Sequence, residues 1–253
     1  MSDTPAEPTP AERTVLEQGR PLSQSLLWQL QRDFFERQGI DAWSQVNVPH
    51  YITRNPFIAQ AYARVVCGFL RDCRAADGAD GCAPLDPSEP VYVIELGAGP
   101  GRFAYYFLKS LTGSLPGAGL QDVRVRYILT DFHDRLQDYW RTHAWLQPLV
   151  TAGRLDFARF DIMHGEDLTL AQAGTVLAPG TVKNPLVGIA NYCFDSVPQD
   201  VFHIEKGQVF AGTVTLSSPQ HEPDLADPQL LNRMEISCDY QPVTGAYYPD
   251  AEW

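Results

Sequence analysis

The chain has no run of eighteen apolar residues, so no segment reads as a membrane-spanning helix. Its six histidines form no H-E-x-x-H or comparable spacing. Its five cysteines (Cys67, Cys73, Cys82, Cys193 and Cys238) form no C-x-x-C pair. No metal-ligand set is therefore readable, and scattered thiols of odd number fit a reducing compartment better than a disulfide framework. Positive charge is scarce: 19 Lys and Arg stand against 31 Asp and Glu, a formal charge of −12. Such a surface repels phosphate backbones and argues against nucleic-acid partners. Residues 1–20 lack the apolar stretch of a secretory signal and are too acidic for a transit peptide. They read as a disordered leader on a cytoplasmic protein.

What is present suits a folded protein. The 253 residues are 44% hydrophobic and 20% charged, enough for one large α/β domain or a domain with an appendage. Ser23 can cap a helix reaching about Arg37, with Leu26, Leu27, Leu30, Phe34 and Phe35 on one face and Gly39 as its stop. Asn55 caps a second helix, with Pro56 in its first turn and an apolar face from Phe57 to Leu70. Residues 21–74 thus read as an N-terminal helical cap expected to pack on the following sheet, and 75–90 as a Gly/Pro/Asp-rich linker.

From 91 onward the elements alternate. VYVIEL (91–96), VRVRYILTD (123–131), LDFARFDI (155–162) and PLVGIANY (185–192) read as strands, with helices over 102–111 and 134–146 between the first three. A weak helix signal and a Pro/Gly loop separate the third strand from the fourth. This order predicts a doubly wound parallel sheet within an α/β domain spanning 91–253. The last third breaks the pattern with a hairpin turning at Lys206–Gly207, a loop, and one further strand in RMEISCDYQPV.

The central signal is Glu95-Leu96-Gly97-Ala98-Gly99-Pro100-Gly101-Arg102, closing a strand and opening a helix. Glycines there let the chain turn sharply and let a ligand approach, while helix-start amides favour electronegative groups. A dinucleotide loop would read G-x-G-x-x-G; here the third glycine comes one position early and Arg102 takes its slot. Glu95 would repel a pyrophosphate but can pair with a cation. The pattern suits a phosphate-free nucleoside carrying positive charge. Asp131, at the end of the second strand, offers two oxygens to a pair of ribose hydroxyls, or caps the next helix. Asp161 with Ile162 closes the third strand, where an Asp can form a solvated turn. Phe160 reads as core, because strand alternation points it away from Asp161. Asn191, Tyr192 and Asp195 follow the fourth strand, where Asn191 can form a local turn. His203 is a candidate base or a plain hairpin residue.

The glycine segment resembles the first motif, E-x-G-x-G-x-G, of class I S-adenosylmethionine-dependent methyltransferases. The resemblance implies that Glu95, Gly97, Ala98, Gly99, Gly101, Asp131, Asp161 and Ile162 hold S-adenosyl-L-methionine, Asp161 and Ile162 at its adenine. It also implies that Asn191, Tyr192 and Asp195 are the acceptor-site residues, Asn191 through its carbonyl. Ala190, Asn191, Phe194, Asp195 and Pro198 are similar to the A-N-E-x-x-D-A-L-P stretch of MidA-type members, and Tyr51-Ile52-Thr53 with the next helix resembles their Y-x-T stretch. That subfamily methylates a protein arginine and is linked to mitochondrial complex I assembly. Tyr192 stands where it carries Glu, which removes the natural partner of a guanidinium. The implied function is methyl transfer to a nitrogen or oxygen of a protein or small molecule. The alternatives are a silent, methyltransferase-derived assembly factor with an incomplete C-terminal part and, third, a nicotinamide oxidoreductase.

Overall fold

A computed structural model describes residues 13–44, 52, 54–76, 84–165, 167–221, 224–245 and 247. The expected Y-x-T stretch loses Tyr51 and Thr53 from this set, and Cys82 also lies outside it. The chain divides into two compact units, residues 38–195 and residues 1–37 with 196–253. The two N-terminal helices therefore fall in different units, and residues 196–253 group with residues 1–37.

Strand β1 (Thr14–Pro21) occupies part of the stretch expected as a leader; residues 1–12 lie outside the described ones. Helix α1 (Leu26–Gln38) starts later than expected. Its cap is Ser25, not Ser23: Ser25 Oγ accepts from the Leu27 N–H and donates to Glu17 of β1, which also takes the Leu26 N–H at 2.8 Å.

In the larger unit a short helix α2 (Asp41–Ser44) precedes α3 (Pro56–Ala75). Asn55 caps α3 as expected, its side chain accepting the Ile58 N–H at 3.0 Å. Strand β2 (Val91–Leu96) leads through the glycine loop into α4 (Arg102–Ser114). Then come β3 (Val125–Asp131), α5 (Arg135–Thr142), α6 (Gln147–Thr151) and β4 (Leu155–Arg159). Two-residue strands β5 (Leu168–Thr169) and β6 (Val176–Leu177) pair antiparallel before β7 (Val187–Ala190). The four main strands form a parallel sheet in the order β4-β3-β2-β7. Strands β2, β3 and β4 are buried along most of their length, which explains their apolar character, while β7 buries Ile189 alone.

One sheet face carries Tyr127 and Phe157, which meet Phe107 of α4 and Trp140 of α5 at ring distances of 5.3 and 5.7 Å. Tyr62 of α3 packs edge-on to Phe103 of α4. The other face carries Tyr92, Ile94, Ile128 and Ala158 and is packed by Leu168, Leu170 and Leu177 of the β5–β6 hairpin, with Phe160 alongside. A doubly wound sheet would carry a helix there, and the weak helix signal before the fourth strand corresponds to this hairpin instead. Buried Asp156 anchors it by accepting the Gln172 and Ala173 N–H groups at 2.8 and 3.1 Å. The end of the expected linker is pinned, not free: Asn184 exchanges hydrogen bonds with the Asp86 backbone and donates to Glu89 O.

The smaller unit is an antiparallel sheet. Strands β8 (Phe202–Glu205), β9 (Gln208–Ser218) and β10 (Glu235–Pro242) join β1, with β9 at the centre; a short helix α7 (Leu230–Arg233) precedes β10. The hairpin turns where expected, with Lys206 at φ +51° and Gly207 at φ +80°. Both central residues are left-handed, as a tight hairpin of this twist requires. Lysine tolerates that conformation poorly, so Lys206→Asn is expected to raise stability by about 0.5 kcal/mol. The midpoint of a urea titration checks it.

Candidate functional site

Strand register builds the site. Glu95 of β2 lies opposite Leu129 of β3 and Ile189 of β7. Two residues further along each strand, Gly97, Asp131 and Asn191 therefore share the carboxyl edge of the sheet. This is where ligands of open parallel sheets bind.

Glu95 is buried, and its Oε2 accepts the Tyr127 hydroxyl proton at 2.9 Å. Burial raises its pKa to about 7, while Arg54 and the Tyr127 hydrogen bond pull it down and Asp131 pushes it up. The pKa of Tyr127 is raised well above its usual value by the same burial and by Glu95. Thr130 Oγ1 donates to Glu95 O at 2.7 Å, tying the end of β2 to β3.

The three glycines do different work. All have positive φ, between +52° and +70°. Among the described residues, a Cβ on Gly97 would meet only Cys193 Sγ, at 4.0 Å, so this side of the loop is open to them. A Cβ on Gly99 would lie 2.8 and 2.9 Å from the Arg54 guanidinium nitrogens and 3.1 Å from Trp43. A Cβ on Gly101 would press on Leu129 and Leu146, both at 3.2 Å. Gly101, expected at the cofactor, also lets α4 pack closely on the core. Ala98 is fully buried and its N–H is taken by Thr130 O at 3.0 Å, so it too has a structural task. Gly99 is held from behind by Trp140 Nε1, which donates to its carbonyl at 2.7 Å. Of the hollow expected over three glycines, the part over Gly97 is open and the part over Gly99 is roofed.

Asp131 is buried; its Oδ1 accepts the Phe132 N–H at 2.9 Å and lies 3.8 Å from His133 Nε2. Asp161 follows β4, joined to Asp131 through the Phe160 N–H, which donates to Asp131 O. It is buried, not solvated, and its Oδ1 accepts the Met163 N–H at 3.0 Å, which makes it a turn former. Ile162 is half-buried beside it.

Asn191 does not offer its carbonyl as expected. The Tyr62 hydroxyl donates to Asn191 Oδ1 at 3.0 Å, and Nδ2 is buried with no partner among the described residues. Tyr192 sits at φ +51°, strained for a residue of its size, and its side chain is exposed. The turn brings Cys193 against Gly97; burial, then Asp131 and Asp195, raise its pKa, so it remains a thiol. Asp195 is exposed in a single 3₁₀ turn, Phe194–Ser196. His203 packs near Phe210 and Tyr240 within the smaller unit, as a hairpin residue does.

Sequence reasoning missed Arg54, Trp43, Tyr62 and Tyr127. Arg54 is 8% exposed, its Nη1 is buried with no hydrogen-bond partner among the described residues, and its guanidinium lies 5.7 Å from the Trp43 ring centre. Burial lowers its pKa, while Glu95 and Asp131 raise it.

No protein-family model and no curated protein matches the chain. Two solved structures from Burkholderia thailandensis are similar over part of their length. One is a suspected methyl transferase bound to S-adenosyl-homocysteine (18% identity, TM-score 0.40, covering 76% of this chain and 36% of that one). The other is an uncharacterized protein of the same superfamily (16% identity, TM-score 0.44, covering 90% and 45%). The chain spans less than half the length of either structure.

Proposed function

We propose that the larger unit binds S-adenosyl-L-methionine at the edge formed by Glu95, Gly97 and Asp131, and that the chain is a methyltransferase dependent on it. The observation that carries this reading is the placement of two buried carboxylates beside the one open glycine. Two carboxylates disfavour a pyrophosphate and favour a ligand with positive charge and paired hydroxyls. When bound, this cofactor supplies a methyl group already activated on a sulfonium. The protein's part is then alignment and desolvation, with no metal needed. Asp131 is the candidate for the ribose and Glu95 for the cation. Asn191, its oxygen held by Tyr62, presents Nδ2 and so suits an acceptor with an oxygen nearby. The MidA-like assignment, a protein acceptor and a cytoplasmic setting rest on sequence alone.

Titration calorimetry tests the reading with S-adenosylmethionine, S-adenosylhomocysteine and NADH. Binding of the first two in the micromolar range, about −8 kcal/mol, with none of NADH is the expected result. Binding of NADH alone, or of none, overturns it. A second reading, a silent relative that keeps the fold, is favoured by the cover of Arg54 and Trp43 over Gly99. Transfer of tritium from the labelled cofactor to any acceptor removes it.

A further inference from the structure

We infer that Arg54 is a carboxylate clamp: its guanidinium, with Nη1 unpartnered among the described residues, takes the carboxylate of an amino-acid-bearing nucleoside whose cationic part lies towards Glu95. The inference rests on the reading above and adds what selects the ligand's amino-acid end.

The argument starts from an unsatisfied donor. Buried polar groups in folded proteins are almost always hydrogen-bonded, and a charged one left unpaired is costly. Arg54 is more than nine-tenths buried, yet Nη1 has no partner among the described residues. Its guanidinium is not loosely placed. It lies over the backbone of Gly99, at a distance only glycine permits, near the face of Trp43. Arginine so held presents a planar fork that matches a carboxylate with two parallel hydrogen bonds. Glu95 and Asp131 are close enough to act on its charge. Among the described residues Nη1 has no acceptor, so this corner of the fork is available to an external one.

Charge decides the kind of acceptor. A phosphate would bring two negative charges beside Glu95 and Asp131. A single carboxylate joined to a cationic group answers Arg54 and Glu95 together and leaves Asp131 to the ribose hydroxyls. A neutral nucleoside lacking the amino-acid part would leave Arg54 Nη1 as it is, buried and without an acceptor among the described residues.

The experiment uses the full chain and three probes: S-adenosylhomocysteine, its decarboxylated analogue, and 5′-methylthioadenosine, which lacks both carboxylate and amine. Calorimetry on the wild type is expected to show S-adenosylhomocysteine binding at least about tenfold tighter than the decarboxylated analogue, the scale of a charge-assisted pair. Arg54→Met is expected to erase that difference while changing methylthioadenosine affinity by less than about twofold, and Arg54→Lys to restore it in part. The wild-type comparison holds even if a variant fails to fold. Equal affinity for the two longer probes, or tighter binding of all three by Arg54→Met, overturns the clamp; the latter marks Arg54 as a plug. If methylthioadenosine binds while loss of the carboxylate changes nothing, only this inference falls. If the wild type binds none of the probes, the reading of the site falls with it.

Discussion

Gly101→Ala is expected to destabilise the protein by about 1–3 kcal/mol more than Gly97→Ala. The two glycines have closely similar backbones, φ +70° and +61°, so alanine incurs the same left-handed strain of roughly 1–2 kcal/mol at each. What differs is the surroundings. The new methyl at 101 must displace Leu129 and Leu146 from 3.2 Å, inside a core where Trp140 closes the third side at 3.7 Å. At 97, among the described residues, it meets only the Cys193 sulfur at 4.0 Å. The ligand effect should run the other way. Gly97→Ala fills the open part of the loop and should weaken S-adenosylhomocysteine by about tenfold or more, since close approach to that backbone is lost. The folded fraction of Gly101→Ala should bind normally. Urea titration and calorimetry on both variants check the pair. Equal destabilisation would contradict the packing, and equal binding loss would contradict the division of labour among the glycines.

The same division shows how far the sequence could be read. Strands β2, β3 and β4 were legible because strands buried along most of their length are rich in apolar residues and bounded by turn residues, and β7 because a short apolar run lies between Pro185 and the Asn191 turn. The Glu95-to-Gly101 loop and the Asn55–Pro56 helix start were legible because each is a local pattern whose chemistry is complete within a few residues. The failures share a different cause. Strand β1 is written in polar residues and exists through pairing with β9, from the far end of the chain. Ser25 displaces Ser23 as cap because Glu17 of that unforeseen strand reaches the start of α1. The β5–β6 strands are two residues each, too short for any period to register. Arg54 is a lone arginine in an irregular stretch; only the fold reveals that it lies over Gly99. The fate of Asn191 likewise depended on Tyr62, 129 positions away.

Glu95→Gln should change how stability depends on pH. In the wild type the folded carboxyl has a pKa of about 7 against 4.5 for the free group, chiefly because burial penalises the charge. A raised folded pKa means that the stability it contributes is fully present below about pH 4.5 and is lost as pH rises through about 7. Over that window the wild type should lose up to about 3 kcal/mol relative to the glutamine variant. The Asp86, Asp122 and Asp227 carboxyls, whose pKa values are lowered, contribute in the opposite sense but below this window. Histidines common to both proteins cancel in the difference. Glutamine can still accept the Tyr127 hydroxyl proton, so packing is largely kept, while Arg54 loses one of its two nearby negative charges. Unfolding midpoints at pH 5, 6, 7 and 8 measure the difference curve. A cationic ligand placed against Glu95 would also drive its proton off. At pH 7 the wild type should release about half a proton on binding S-adenosylmethionine, seen as a dependence of the binding heat on buffer ionisation, and the variant none. A flat difference curve would mean that Glu95 does not carry a buried charge. A normal curve without proton release would place the ligand's cation elsewhere.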